Sequence, residues 1–152
     1  MSIAARLTDL GIELPAPASA VANYVPYVRT GNLIHISGQL SNDASGGLKG
    51  TVGEDVTPEQ ANAGARLCGI NLLAQLSAAL DGDLERVVQV VKLGGFVQAG
   101  PGFTAIPAVI NGCSDLTVEV FGDARRHAHS AVGVYQLPLG FAVEVDAIVE
   151  VR

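Results

Sequence analysis

Residues 143–151 alternate strictly. Val143, Val145, Ala147, Val149 and Val151 fall on one side of an extended chain, and Glu144, Asp146, Ile148 and Glu150 fall on the other. A period of two over nine residues demands a β-strand with one face packed and the other free to carry charge. Something apolar has to cover the valine face. Two segments have the period of a helix and can do so. The first opens with Thr57, Pro58, Glu59 and Gln60, where Thr57 caps, Pro58 fits the first helical position and Gln60 completes a capping box. Its apolar stripe runs through Ala61, Ala65, Cys68, Leu72, Leu76 and Ala79. The second runs from about Thr104 to Phe121, with Pro107 in its first turn, Ile106, Val109, Ile110, Cys113, Leu116 and Val120 on one side, and Gly122 as its C-cap.

The remaining elements follow from punctuation. Ile3, Leu7 and Leu10 share the face of a short helix that Gly11 closes, and Pro15 and Pro17 then stop regular structure. Tyr24–Arg29 reads as an edge strand, because Pro26 cannot donate to a ladder, and it pairs with Leu33–Ser37 across a turn at Thr30, Gly31 and Asn32. Residues 38–55 read as a loop with a short strand near Leu48. Leu84–Val97 is apolar on both faces and reads as a central strand, with Val88, Val90 and Phe96 alternating against Val87, Val91, Leu93 and Val97. His127–Tyr135 and Phe141–Val151 complete the set around a turn at Leu137–Gly140. The expected fold is α+β: one domain over residues 1–152, a mixed sheet with two long helices on one face. With both sides of the central strand apolar, the uncovered face is expected to be buried by oligomerisation.

Composition excludes several functions. The formal net charge of −6 lacks the basic footprint of a general nucleic-acid binder. No run reaches the roughly 18 apolar residues of a membrane span, and the N-terminus lacks a secretory pattern, so the expected location is cytoplasmic. Cys68 and Cys113 lie on helix stripes and read as small core residues.

Gly31, Asn32, Leu33, Ile34, His35, Ile36, Ser37, Gly38 and Gln39 together resemble the GNxxxxSGQ signature of the RidA/YjgF/YER057c/UK114 family, also called endoribonuclease L-PSP. The run 128–148, with Ala128, Ser130, Val132, Leu137, Pro138, Val143, Glu144, Ala147 and Ile148, resembles that family's ARSxVxVxxLPxxxxVEIEAIA ending. The resemblance covers nearly the whole chain. It implies a chorismate-mutase-like fold, a homotrimer with clefts between neighbouring subunits, and cofactor-free hydrolysis of reactive enamines and imines, such as 2-aminoacrylate, to carbonyl compounds and ammonia. It further implies that Tyr24, Ser37, Gly38 and Asn111 line a cleft for a small carboxylate- or carbonyl-bearing metabolite and that Glu144 positions the attacking water. His129 stands where the family's carboxylate-gripping arginine would be, and Ala131 where many members have cysteine.

That exchange has a physical consequence. A guanidinium offers two parallel N–H donors and a permanent charge; an imidazole offers one donor and is mostly neutral near pH 7. Losing a bidentate charged contact costs on the order of 2–5 kcal/mol of binding, or roughly 30-fold to several-thousand-fold. Weak 2-aminoacrylate activity is therefore expected, unless Arg125 or Arg126 reaches the cleft. If the last two strands form a hairpin, His129 and Glu144 share a side and the carboxylate raises the imidazole's pKa; a hydrogen-bonded pair without chemistry is the alternative. His127 and His129 have a spacing metals can use, but no third ligand accompanies them, and no metal is expected. Ser37 and Ser130 lack a nucleophile elbow, and Ser37 reads as an orienting hydrogen-bond donor. A non-catalytic binding or interaction module on the same fold is the second functional reading. Ribonuclease is the third, disfavoured by charge.

Overall fold

A computed structural model describes residues 1–152. In chain order the elements are α1 (Ile3–Asp9), β1 (Tyr27–Thr30), β2 (Leu33–Leu40), α2 (Pro58–Ala79), β3 (Val87–Gln98), α3 (Ile106–Phe121), β4 (Ala128–Val134) and β5 (Val143–Val151). The architecture is the expected α+β: a five-stranded mixed sheet with α2 and α3 packed on one face. The strand order is β1-β2-β5-β3-β4. Only β3 and β4 run parallel, joined through α3; the other neighbours are antiparallel.

Local chemistry accounts for the long elements. Thr57 Oγ1 accepts from Gln60 N–H at 3.1 Å and Gln60 Oε1 accepts from Thr57 N–H at 2.9 Å, so the capping box closes in both directions. Gly122 ends α3 with φ of 90°. The two helices approach closely at Gly112, where an added Cβ would fall on the Asn62 carbonyl oxygen. No larger residue fits there. The valine face of β5 is buried throughout and joins Leu72, Leu76, Leu93, Val109, Ile110, Cys113 and Leu116 in one continuous core beneath both helices.

The strand readings need four corrections, the first being that β2 runs on through Gly38, Gln39 and Leu40, which read as the start of a loop. Tyr24–Pro26 precede β1 rather than belonging to it, because β1 begins only at Tyr27. Leu84–Arg86 form a 3-10 turn ahead of β3, with Asp83 capping through its carboxylate. Within β3 the alternation is not strict. The register slips at Val88 and again at Val91, so Val87, Val90, Leu93 and Val97 all face the helices and are buried. Two β-bulges thus rephase the strand and leave Val88 and Val91 exposed.

The face away from the helices is uncovered. It carries His35 and Leu40 of β2, Glu144, Asp146 and Ile148 of β5, Lys92 and Phe96 of β3, and Val132 of β4, with Val28 beside them on β1. Val28 and Val132 are about half exposed, at 54% and 47%. The mix of valine, phenylalanine and carboxylate is unusual for a face meant for water.

Candidate functional site

Glu144 sits mid-strand in β5, opposite Phe96 on one side and Leu40 on the other. Next to it β2 carries a bulge. Ile36 pairs with Ala147 and Gln39 with Val145, which leaves two residues, Ser37 and Gly38, against Asp146 alone. The bulge brings Gly38 under the Glu144 side chain: a Cβ on Gly38 would lie 2.5 Å from Glu144 Oε1. Glycine at this position is therefore what gives the carboxylate its seat. Gly94 does the same for Asp146, where a Cβ would fall on the carboxylate.

Ser37 is fully engaged. Its hydroxyl donates to the Val25 carbonyl at 2.8 Å and its N–H donates to the Pro26 carbonyl at 2.9 Å. Both donors are spent on the segment that carries Tyr24, so in this structure Ser37 anchors that segment instead of offering a donor to a ligand. Gln39 is buried and donates to the Ser37 carbonyl at 3.0 Å, stiffening the bulge from the core side. Tyr24 is half exposed.

Burial, and after it the neighbouring Asp146, pushes the Glu144 carboxyl above its ordinary range. Asp146 is raised by burial as well, with the Gly94 amide and Lys92 pulling the other way. A half-buried carboxylate of raised pKa is a stronger proton acceptor than an ordinary one.

Asn111 and His129 lie elsewhere. β4 and β5 do not form a hairpin, because β3 runs between them. His129 takes the register of Leu93, a helix-facing residue, whereas Glu144 takes the register of Phe96. The two side chains therefore stand on opposite faces of the sheet, and the expected His129–Glu144 pair does not form within one chain. His129 is exposed, next to α3 on the edge strand; Asn111 is exposed on α3. Tyr24, Ser37, Gly38 and Glu144 form one cluster by β2 and β5. Asn111 and His129 form another by α3 and β4.

His127 joins the second cluster. Its ring lies edge-on to His129 with centroids 6.3 Å apart, and its two nitrogens meet Ser114 Oγ at 2.8 Å and Thr117 Oγ1 at 3.2 Å. Burial, then His129 and Arg126, lowers its pKa. No third metal-ligating side chain joins the two histidines. In the sequence His127 stands out only as half of a metal-spaced pair; the signal for its partners is a Ser114-x-x-Thr117 step on α3. Arg126 is held by Asp123 at 2.8 Å on an exposed turn.

The cysteines take no part. Both are free and buried. Burial raises both thiols, that of Cys113 to about 12, so each stays protonated, and Cys68 donates weakly to the Val143 carbonyl.

The geometry defines an α+β sheet protein with two polar clusters on opposite faces of a half-covered sheet. Residues 4–150 match the family described as "YjgF/chorismate mutase-like, putative endoribonuclease", and the chain belongs to that family. It is 51% identical over 152 residues to Protein TCP17 of Trypanosoma cruzi, covering 99% of this chain and 94% of that one. The crystal structure of Atu1372, a protein of unknown function from Agrobacterium tumefaciens, superposes with a TM-score of 0.92 at 46% identity, covering 99% of this chain and 92% of the other. The YjgF gene product of E. coli superposes with a TM-score of 0.63 at 26% identity, over 90% of this chain and 94% of the other. Coverage is thus near complete for TCP17 and Atu1372 and loses about a tenth of the chain against the E. coli protein.

Proposed function

We propose that the protein binds a small carboxylate- or carbonyl-bearing metabolite in a cleft between copies of itself, and that its reaction is cofactor-free hydrolysis of an imine or enamine. The observation that carries this reading is the split of the site. Glu144 with Gly38 stands on the open sheet face, and Asn111 with His129 stands on the helix side of the edge strand. One chain cannot bring them together. A neighbouring copy laid against the open, apolar face can, and a homotrimer closes such contacts with the same surfaces in every copy.

The chemistry follows from the groups present. Glu144 takes a proton from water as the oxygen adds to the C=N carbon. It returns that proton to nitrogen, giving a carbinolamine, and then carries the hydroxyl proton to nitrogen as the C–N bond breaks; the products are a carbonyl compound and ammonia. The raised pKa suits a group that must both accept and release a proton. The Asn111 amide supplies hydrogen bonds to the polar groups of the substrate. His129 supplies one N–H where a carboxylate is best held by two, so small 2-imino carboxylates are weak substrates.

The test is release of carbonyl product from 2-aminoacrylate in a coupled assay. Low activity is expected in the natural protein, and His129→Arg is expected to lower KM by roughly 30-fold or more. Strong activity without the substitution would contradict the role given to His129. No activity in either form, together with a metabolite bound in the cleft, would favour a binding module. The family description also names endoribonuclease; a net charge of −6 opposes it.

A further inference from the structure

Three side chains in the α3–β4 cluster are wired in series. Thr117 Oγ1 donates its only proton to the Ser114 carbonyl at 2.8 Å. It can therefore only accept from His127 Nδ1, 3.2 Å away. With the threonine hydroxyl directed at that carbonyl, the neutral imidazole carries its proton on Nδ1 and leaves Nε2 as a lone pair. Nε2 lies 2.8 Å from Ser114 Oγ, so the serine hydroxyl donates to it. The result is a hydroxyl, a base hydrogen-bonded to it, and a third group that sets the base's tautomer, which is the arrangement that activates a serine.

The surroundings agree. His127 is partly buried in a setting that disfavours its charged form, with Arg126 and His129 adjacent, so the imidazole is held in the neutral state a base requires. Ser114 is partly exposed and makes no other side-chain hydrogen bond. Asn111, one turn earlier on α3, projects on the same helical flank, and the His129 ring borders His127.

We propose that Ser114 is a nucleophile activated by His127 and positioned through Thr117, and that it accepts the acyl group of small carboxylic esters. Ser114 Oγ bonds to the ester carbonyl carbon as its proton passes to His127 Nε2. The C–O bond to the leaving alkoxide breaks, and the alkoxide takes that proton and departs as the alcohol. Water then adds to the acyl carbon and gives a proton to Nε2; Ser114 Oγ leaves and recovers it, and the carboxylic acid is released. Ester and water become acid and alcohol, with no other reactant. The reaction does not use Glu144, which stands on the opposite face, although Ser114 and His127 adjoin the His129 side of the proposed imine site.

The experiment uses p-nitrophenyl acetate on the full chain. Release of p-nitrophenolate is followed, and the acetyl group is mapped by peptide mass spectrometry. The natural protein is expected to carry one acetyl group on Ser114. Ser114→Ala and His127→Asn are each expected to slow release by about 100-fold, and Thr117→Val by about tenfold, with circular dichroism unchanged. Imine hydrolysis by Glu144→Gln, run alongside, keeps the two reactions distinct: ester cleavage survives that substitution. Acetylation of another residue, or equal rates in the natural protein and Ser114→Ala, would overturn the proposal. So would an unaltered rate in folded His127→Asn.

Discussion

The two faces of the sheet solve different problems with neighbouring residues of the same strands. On the helix face, Val143, Val145, Ala147, Val149 and Val151 are buried among mostly aliphatic and aromatic side chains, with Gln39 opposite Val145 a polar exception. On the open face the same strand offers Glu144, Asp146, Ile148 and Glu150, none of them buried and two with raised pKa. The helix face is built for stability. The open face retains apolar surface and half-buried carboxyls that are costly in a lone chain, which is the expected signature of a face kept for a partner and for chemistry.

Substitutions can break or sharpen that contrast. The largest effect is expected at Leu93, 1% exposed beneath the helices: Leu93→Ala lowers the unfolding free energy by about 3 kcal/mol in urea titrations. Val132→Ala, on the open face, changes it by at most about 0.5 kcal/mol in the dissociated chain. A cost for Val132→Ala that grows with protein concentration would mark that face as covered. Thr57→Ala removes one half of the capping box and costs about 1 kcal/mol, measurable in the same titration.

Gly38→Ala touches the site more than the fold. Its Cβ would meet the Glu144 carboxylate, so Glu144 must move. The imine-hydrolysis rate is expected to fall at least about tenfold, with a small change in thermal midpoint.

The smallest effect is the pH dependence of Glu144. Its carboxyl is raised above the ordinary value of 4.5, so the folded chain binds this proton more tightly than the unfolded chain does. The burden on stability is absent below 4.5, grows as pH rises through the window between 4.5 and the raised folded value, and is constant above it. Glu144→Gln is therefore expected to raise the thermal midpoint at neutral pH and to lose that gain at pH values below 4.5. An equal gain at both would show that Glu144 acts by shape and not by charge.

Periodicity and punctuation made most of the fold legible. β5 announced its two faces, and Thr57, Pro58 and Gln60 announced the start of α2. The phase of β3 was not legible, since bulges at Val88 and Val91 depend on pairing with β5 and leave no mark among valines. The faces of His129 and Glu144 differ from the sequence expectation for a related reason. Adjacent strands in sequence suggest a hairpin, but the parallel β3–β4 pairing inserts β3 between them. The pairing of Ser114 with His127 is not legible in the sequence, because the two are 13 residues apart and only the packing of α3 beside β4 joins them.

The central claim is that each site is completed by a second copy laid on the open face. Light scattering during size-exclusion chromatography tests it most directly. A mass of three times the 15.6 kDa chain is the result predicted. A mass of 15.6 kDa at micromolar concentration would contradict it, because Glu144 and His129 could then never face one substrate.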